Sequence, residues 1–254
     1  MFLIAEAGVN HNGHFRTALE LVDAAKECGA DAVKFQYFSS ERLWGDDRIA
    51  SLELTLPQLE DIQAYCKAVG IEFMCTAFGV EELKEISRWL KSIKIPSGLM
   101  TNKDLLRAAV QTKKPVILST GMSEMVEIGE SAQFFERDLT ILQCTSSYPC
   151  RLEDVNLQAM VNMRKFFWMK ADIGLSDHTT SITVPIAAAA LGCAMLEKHL
   201  TLDRKQEGPD HKASITPAEF KAMRLAIIEV EAAMGDGVKK VEDAERPLRK
   251  AWRK

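Results

Sequence analysis

The 254 residues carry 32 Lys and Arg against 36 Asp and Glu, with 47% hydrophobic and 27% charged residues. A net charge of −4 leaves no basic footprint for nucleic acid, and the length suits one barrel-sized domain with a substantial core. The chain reaches Glu6 before any signal-peptide core has accumulated and has no basic n-region, which predicts a cytoplasmic protein. Residues 179–196 are uncharged but contain Pro185, Gly192 and several hydroxyls, so a buried helix feeding a buried strand explains them better than a membrane span. The six cysteines show no CxxC or zinc-finger spacing and read as reduced thiols.

In chain order, eight continuous apolar runs predict strands buried on both faces, at residues 2–8, 32–38, 72–78, 92–98, 115–121, 139–146, 172–179 and 195–201. Helix-like stretches alternate with them. Ala18, Leu21, Val22 and Ala25 recur at helical spacing, as do Phe220, Met223, Ile227 and Val230. Thr55-Leu56-Pro57-Gln58 and Thr216-Pro217-Ala218-Glu219 predict capped helix starts with proline in the first turn. Gly29 and Gly70 mark helix ends that need positive φ. Eight β-then-α units predict an α/β protein of one domain, a (β/α)8 TIM barrel over residues 1–234. The polar, finally basic stretch 235–254 is expected to be a solvated tail or a helix lying on the barrel. An open doubly wound sheet is the competitor, but no GxGxxG follows any strand.

Barrel chemistry gathers at the C-terminal ends of the strands, and nearly every run delivers a polar group there. Lys34 and Lys94, on strands converging at one mouth, suit an anionic substrate. Serine and threonine hydroxyls and the helix start after Ser119-Thr120-Gly121 would complete a phosphate cradle. His178 and His199, on adjacent strands, either share a divalent ion or are two hydrogen-bonded histidines with no metal. His11 is placed near substrate and His14 at a helix start. Gly208-Pro209-Asp210-His211 lies in a long loop that either contacts ligand or forms a plain turn.

Eight motifs follow one another along the chain. They begin with Glu6-Ala7-Gly8-Val9-Asn10-His11-Asn12-Gly13, Val33-Lys34-Phe35-Gln36, Ile93-Lys94-Ile95-Pro96-Ser97-Gly98 and Leu118-Ser119-Thr120-Gly121-Met122. Cys144-Thr145-Ser146-Ser147-Tyr148-Pro149, Gly174-Leu175-Ser176-Asp177-His178-Thr179, Glu197-Lys198-His199 and Gly208-Pro209-Asp210-His211 complete the set. Together they resemble the sialic acid synthase family, in order from residue 4 to about residue 246. The resemblance implies condensation of phosphoenolpyruvate with N-acetylmannosamine or a related 2-acetamido sugar, giving a nonulosonic acid and phosphate. It implies manganese, or magnesium or cobalt, held by His178 and His199. It assigns Lys34, Thr76, Lys94, Ser97, Ser119, Ser146 and Ser176 to phosphoenolpyruvate, and Gln36, Asp210 and His211 to the sugar. Glu6, Glu197 and Tyr148 become the catalytic candidates, and a homodimer the expected assembly.

Three departures accompany the resemblance. The antifreeze-like domain that caps the barrel in family members has no counterpart up to Lys254, so a separately encoded cap is a further expected partner. The loop at residues 37–55, with Trp44-Gly45-Asp46-Asp47, looks short, and Ser146 stands where many members have Asn. Two rivals compete with the synthase: a Schiff-base aldolase using Lys34 or Lys94, and a non-catalytic binding barrel.

Overall fold

A computed structural model describes residues 1–253, leaving aside the side chain of Trp44; Lys254 of the expected tail lies outside them. The chain alternates β1 (Phe2–Gly8), α1 (Phe15–Glu27), β2 (Ala32–Tyr37), a short α2 (Ser40–Trp44), α3 (Leu56–Val69), β3 (Glu72–Ala77) and α4 (Val80–Ile86). Then come β4 (Ile93–Ile95), α5 (Lys103–Gln111), β5 (Val116–Ser119), α6 (Met125–Ala132), β6 (Leu139–Cys144) and α7 (Leu157–Phe166). The chain ends with β7 (Asp172–Asp177), α8 (Thr183–Ala190), β8 (Met195–His199), α9 (Pro217–Met234) and α10 (Arg246–Trp252). The eight strands close in sequence order into a parallel barrel, as the alternation predicts.

Several strands stop short of their apolar runs. β4 shrinks to three residues because Pro96 has no N–H for the ladder and Ser97–Leu99 turns as a 3-10 helix. His178 accordingly lies one residue beyond β7. Both expected capping boxes form, at Thr55 on α3 and Thr216 on α9, and Gly29 and Gly70 take φ of +85° and +75°. The uncharged stretch before His199 folds as α8 feeding β8, and among the described residues no helix is long and apolar enough to cross a membrane. All six cysteines are buried free thiols. Within the tail, α10 exposes Leu248 and Trp252.

Two apolar layers follow from the alternation of side chains along a strand. Outward residues such as Leu3, Val33, Phe35, Ile93, Leu118, Ile173 and Leu196 pack against the helices in the main core. Inward residues Ile4, Ala32, Met74, Ile117 and Leu142 fill the barrel interior, with Phe2 and Met195 packed on them. One step along each strand toward its C-terminal end, the same inward parity delivers Glu6, Lys34, Thr76, Ser119, Ser176 and Glu197 instead of aliphatics. The barrel is therefore plugged with oil below and lined with charge above.

Gly174 sits in that plug, and a Cβ there would lie 2.3 Å from the Met195 carbonyl oxygen and 2.5 Å from Leu142 Cδ2. Backbone cannot yield as a side-chain tip does, so Gly174→Ala is expected to cost about 3 kcal/mol of stability. Urea unfolding checks this; a midpoint equal to the parent's would mean that β7 and β8 separate without penalty.

Candidate active site

A cavity of about 440 Å³ opens at the C-terminal end of the barrel. Of the residues singled out from sequence, Glu6, Lys34, Gln36, Thr76, Lys94, Ser97, Ser119, Ser146, Tyr148, Ser176, Glu197, His178 and His199 all line it. Register explains the convergence: Glu6 is level with Lys34 on one side and His199 on the other, Thr76 with Lys94, and Ser176 with Glu197.

At its floor two carboxylates and two ammonium groups interleave. Lys34 Nζ lies 2.6 Å from Glu6 Oε2 and 3.6 Å from Glu197 Oε2, and donates to Thr76 Oγ1 at 2.9 Å. Lys94 Nζ lies 3.5 Å from Glu197 Oε1 and donates to Ser119 Oγ at 2.6 Å. Ser176 Oγ donates to Glu197 Oε1 at 2.9 Å, and Gln36 Nε2 to Glu6 Oε1 at 3.1 Å. All four charged groups are buried.

Such burial splits the two acids. Glu6 is pushed up to about 7, chiefly by burial, which the Lys34 charge only partly offsets. Glu197 is equally buried, but both lysines and the Ser176 hydroxyl outweigh that and hold it at about 2. Burial works against the charge on both lysines. Glu197 and Glu6 nevertheless keep Lys34 above the ordinary lysine range, whereas Lys94 falls below it. One carboxyl is thus poised to exchange a proton near neutrality while its neighbour stays ionised, a division of labour that suits acid–base chemistry.

Beside Lys94, β5 and β6 end in a cluster of small groups. Gly121 N–H donates to Ser97 Oγ at 3.0 Å, and a Cβ on Gly121 would fall 2.1 Å from Ser146 Oγ and 2.9 Å from Ser97 Oγ. A methyl there must turn both hydroxyls aside while the fold survives. Gly121→Ala is therefore expected to raise KM for an anionic substrate about tenfold, with kcat less affected, in steady-state kinetics.

His178 and His199 have ring centroids 5.5 Å apart, and Tyr148 lays its ring on His178 at 4.0 Å. His178 Nδ1 donates to the Thr145 carbonyl at 2.8 Å, which leaves Nε2 as its free nitrogen. Burial sets His199 well below the usual histidine range, so the ring is neutral, and its Nδ1 is buried without a hydrogen-bond partner. Asp210 Oδ2 is 3.7 Å from that atom. Among the described residues no cluster of three or more His, Cys, Asp or Glu gathers to hold a metal. The donor set fits an open site with two imidazoles, its other positions left to water or substrate oxygen.

The loop residues divide. Asp210 reaches the site: a Cβ on Gly8 would meet its Oδ2 at 3.0 Å, Gln36 Nε2 at 3.3 Å and Glu6 Oε1 at 3.4 Å, so those three groups converge over a glycine. His211 does not line the cavity. It is fully buried, with Nδ1 against Thr201 Oγ1 at 2.8 Å and Nε2 against Asn12 Oδ1 at 3.2 Å, and it ties its loop to the turn after β1. His11 is likewise buried, its ring against Phe35, and also lies off the cavity, while His14 is exposed before α1.

Cys144 carried no role in the sequence, yet it lines the cavity 3.9 Å from His178 Nδ1, and Ser97 Oγ lies 3.6 Å from its sulfur. Burial opposes its ionisation, but His178 and Ser97 bring the thiol below its ordinary range. Its place at the C-terminal end of the sixth apolar run, where barrel chemistry gathers, is the signal the sequence offers.

A family-wide sequence profile, that of the NeuB family, matches residues 21–239. The chain belongs to the NeuB family. This NeuB-family chain is 38% identical to the N,N'-diacetyllegionaminic acid synthase of Campylobacter jejuni, over 96% of its own length and 80% of that protein's. It is 34% identical to the N-acetylneuraminate-9-phosphate synthase of Homo sapiens, over 94% and 73%. Among solved structures, the N-acetylneuraminic acid synthetase of Leptospira borgpetersenii superposes with a TM-score of 0.92 at 30% identity, covering 100% of this chain and 92% of that one.

Proposed function

We propose that this NeuB-family barrel condenses phosphoenolpyruvate with a 2-acetamido aldose, releasing phosphate and a nonulosonic acid. The observation that carries the reading is the interleaved floor of Glu6, Lys34, Glu197 and Lys94, beside a hydroxyl cradle on one side and the imidazoles of His178 and His199 on the other. The relatives named for sialic- and legionaminic-type products supply the substrate class. The higher identity to the legionaminic acid synthase favours a diacetamido sugar over N-acetylmannosamine.

Lys94, Ser97, Ser119, Ser146 and Gly121 N–H would hold the phosphate, with Lys34, Thr76 and Ser176 toward the carboxylate of phosphoenolpyruvate. Gln36 and Asp210 would take sugar hydroxyls, with His211 holding the loop that carries Asp210. His178 and His199 would hold manganese, with magnesium or cobalt as alternatives, and a bound divalent ion would polarise the sugar aldehyde. The enol carbon then forms the new C–C bond as the aldehyde π pair moves onto its oxygen, which ends protonated as a hydroxyl, and the positive charge left at the phosphate-bearing carbon is stabilised by the ionised Glu197. Glu6 takes one proton from the water that adds there and returns it to that alkoxide by way of solvent, and the tetrahedral adduct re-forms a carbonyl by C–O cleavage, its hydroxyl proton leaving with the phosphate. Homodimerisation, a cap supplied from outside the barrel and a cytoplasmic setting belong to the same proposal.

The Schiff-base alternative fails at Lys34, which is held protonated between two carboxylates. At Lys94, whose charge burial disfavours, borohydride trapping with a keto acid separates the two readings, and no adduct is expected. Phosphate release measured with phosphoenolpyruvate, manganese and a panel of 2-acetamido aldoses tests the proposal. Sugar-dependent release is expected; none with any sugar, from folded protein, would overturn it.

The pH dependence follows from Glu6. As a base it must be ionised, and with its carboxyl at about 7 it is protonated below that value. kcat/KM is therefore expected to fall about tenfold per pH unit below pH 7, because a single proton blocks the base. A flat profile between pH 5.5 and 8 would place the base elsewhere.

A further inference from the structure

Asp177 and Lys198 lie behind the site rather than in it. They occupy outward positions on β7 and β8, where the other outward residues, Ile173, Leu175 and Leu196, are buried aliphatics. The two are level across the ladder, with Lys198 Nζ 2.5 Å from Asp177 Oδ2 and both side chains essentially inaccessible. Lys198 also donates to the Thr179 carbonyl and approaches Thr179 Oγ1 at 3.3 Å. Asp177 in turn accepts from Thr179 N–H at 2.9 Å and from its hydroxyl at 3.1 Å. The backbone on both sides of His178 is thereby tied to the residue before His199.

Burying two charges in an apolar layer is a poor way to gain stability, since an apolar pair of similar volume serves as well or better. What the ion pair adds is direction. Because side chains alternate along a strand, a pair fixed on the outer face fixes the inward residues on either side of it: Ser176 and Glu197 before it, and after it His199 and, through the Thr179 contacts just past the end of β7, His178. We propose that Asp177 and Lys198 are positioning residues that set the spacing and orientation of His178 and His199 for a divalent ion, at no gain in stability. This rests on the metal reading above.

The decisive comparison is between Lys198→Met, which strands a buried carboxylate, and Asp177→Leu/Lys198→Met, which replaces the pair by aliphatics. Thermal unfolding is expected to drop for the single variant and to return to the wild-type midpoint in the double. Manganese affinity, read from the EPR signal of the free ion, is expected to stay about 10- to 100-fold weaker in the double variant, the size of loss that follows removal of outer support around metal ligands. Recovery of wild-type affinity together with stability would overturn the proposal, because the pair would then be structural only. Should the double variant not fold, Asp177→Asn/Lys198→Met, which keeps the shape of the acid, takes its place and is read in the same way. Wild-type protein that binds no manganese would end the metal reading alone. The positioning claim is then decided on metal-free, 15N-histidine-labelled protein: displaced His178 and His199 resonances in the double variant support it, and unchanged ones overturn it.

Discussion

Lys34→Met is expected to cripple the chain in two separable ways. The ammonium is the cation closest to Glu6 and also faces Glu197, and methionine fills the space without the charge. Stranding buried carboxylates costs about 3–5 kcal/mol where no escape exists. Glu6 has an escape, because it is already raised to about 7 and loses the main influence holding it down, so it takes up a proton. A carboxyl raised in the fold binds its proton more tightly folded than unfolded, so stability falls as pH rises from the ordinary carboxyl range toward the folded value. Lys34→Met should therefore be more damaged at pH 8 than at pH 6 in urea unfolding, while the parent differs less between the two. Turnover should fall by about three orders of magnitude at pH 7, because Glu6 is protonated when its base function is needed. A variant equally stable at both pH values would show that Lys34 does not hold the Glu6 proton off.

Much of this site is legible in the order of the amino acids alone, and the parts that are not are hidden for definite reasons. Strand order and the gathering of Glu6, Lys34, Lys94 and His199 follow from the β-then-α repeat, since all parallel strands of a closed barrel point their C-terminal ends at one mouth. Which face each residue takes is hidden, because strands buried on both sides show no alternation of polarity. Asp177 and His178 look equivalent in sequence, yet one points at helices and the other into the cavity. Register between strands is set by barrel closure, so the level pairing of Glu6 with both Lys34 and His199 had no local signal. Loops carry the least local signal. His211 and Asp210 are adjacent, but only packing against Asn12 and Thr201 decides that the histidine turns inward to the fold while the acid turns to Gly8 and Gln36. The short α2 in the loop after β2 arises from Ser39 capping Arg42 N–H and from Gly45 at φ +75°, both visible in sequence but easily taken for a bare turn.

His199→Ala and His178→Ala should both abolish turnover yet differ in what they do to the fold. His199 is a buried neutral ring whose Nδ1 has no hydrogen-bond partner, so its removal discards an unsatisfied polar atom along with some packing. These effects oppose each other, and the net change in stability is expected to stay within about 1 kcal/mol. His178 gives up its hydrogen bond to the Thr145 carbonyl and its contact with Tyr148, and leaves that carbonyl to find another donor. Its loss is expected to cost about 2 kcal/mol. Activity does not follow that order. If the two imidazoles hold one ion, either truncation removes half of the protein's donors, and each should lower phosphate release at least about a thousandfold, with manganese binding lost in parallel. Equal loss of activity with unequal loss of stability is the signature of a shared ligand. If instead the histidines serve only as hydrogen-bonded supports, activity should track stability. His199→Ala would then keep most of its turnover, and exhaustive chelation of the parent would leave its rate unchanged.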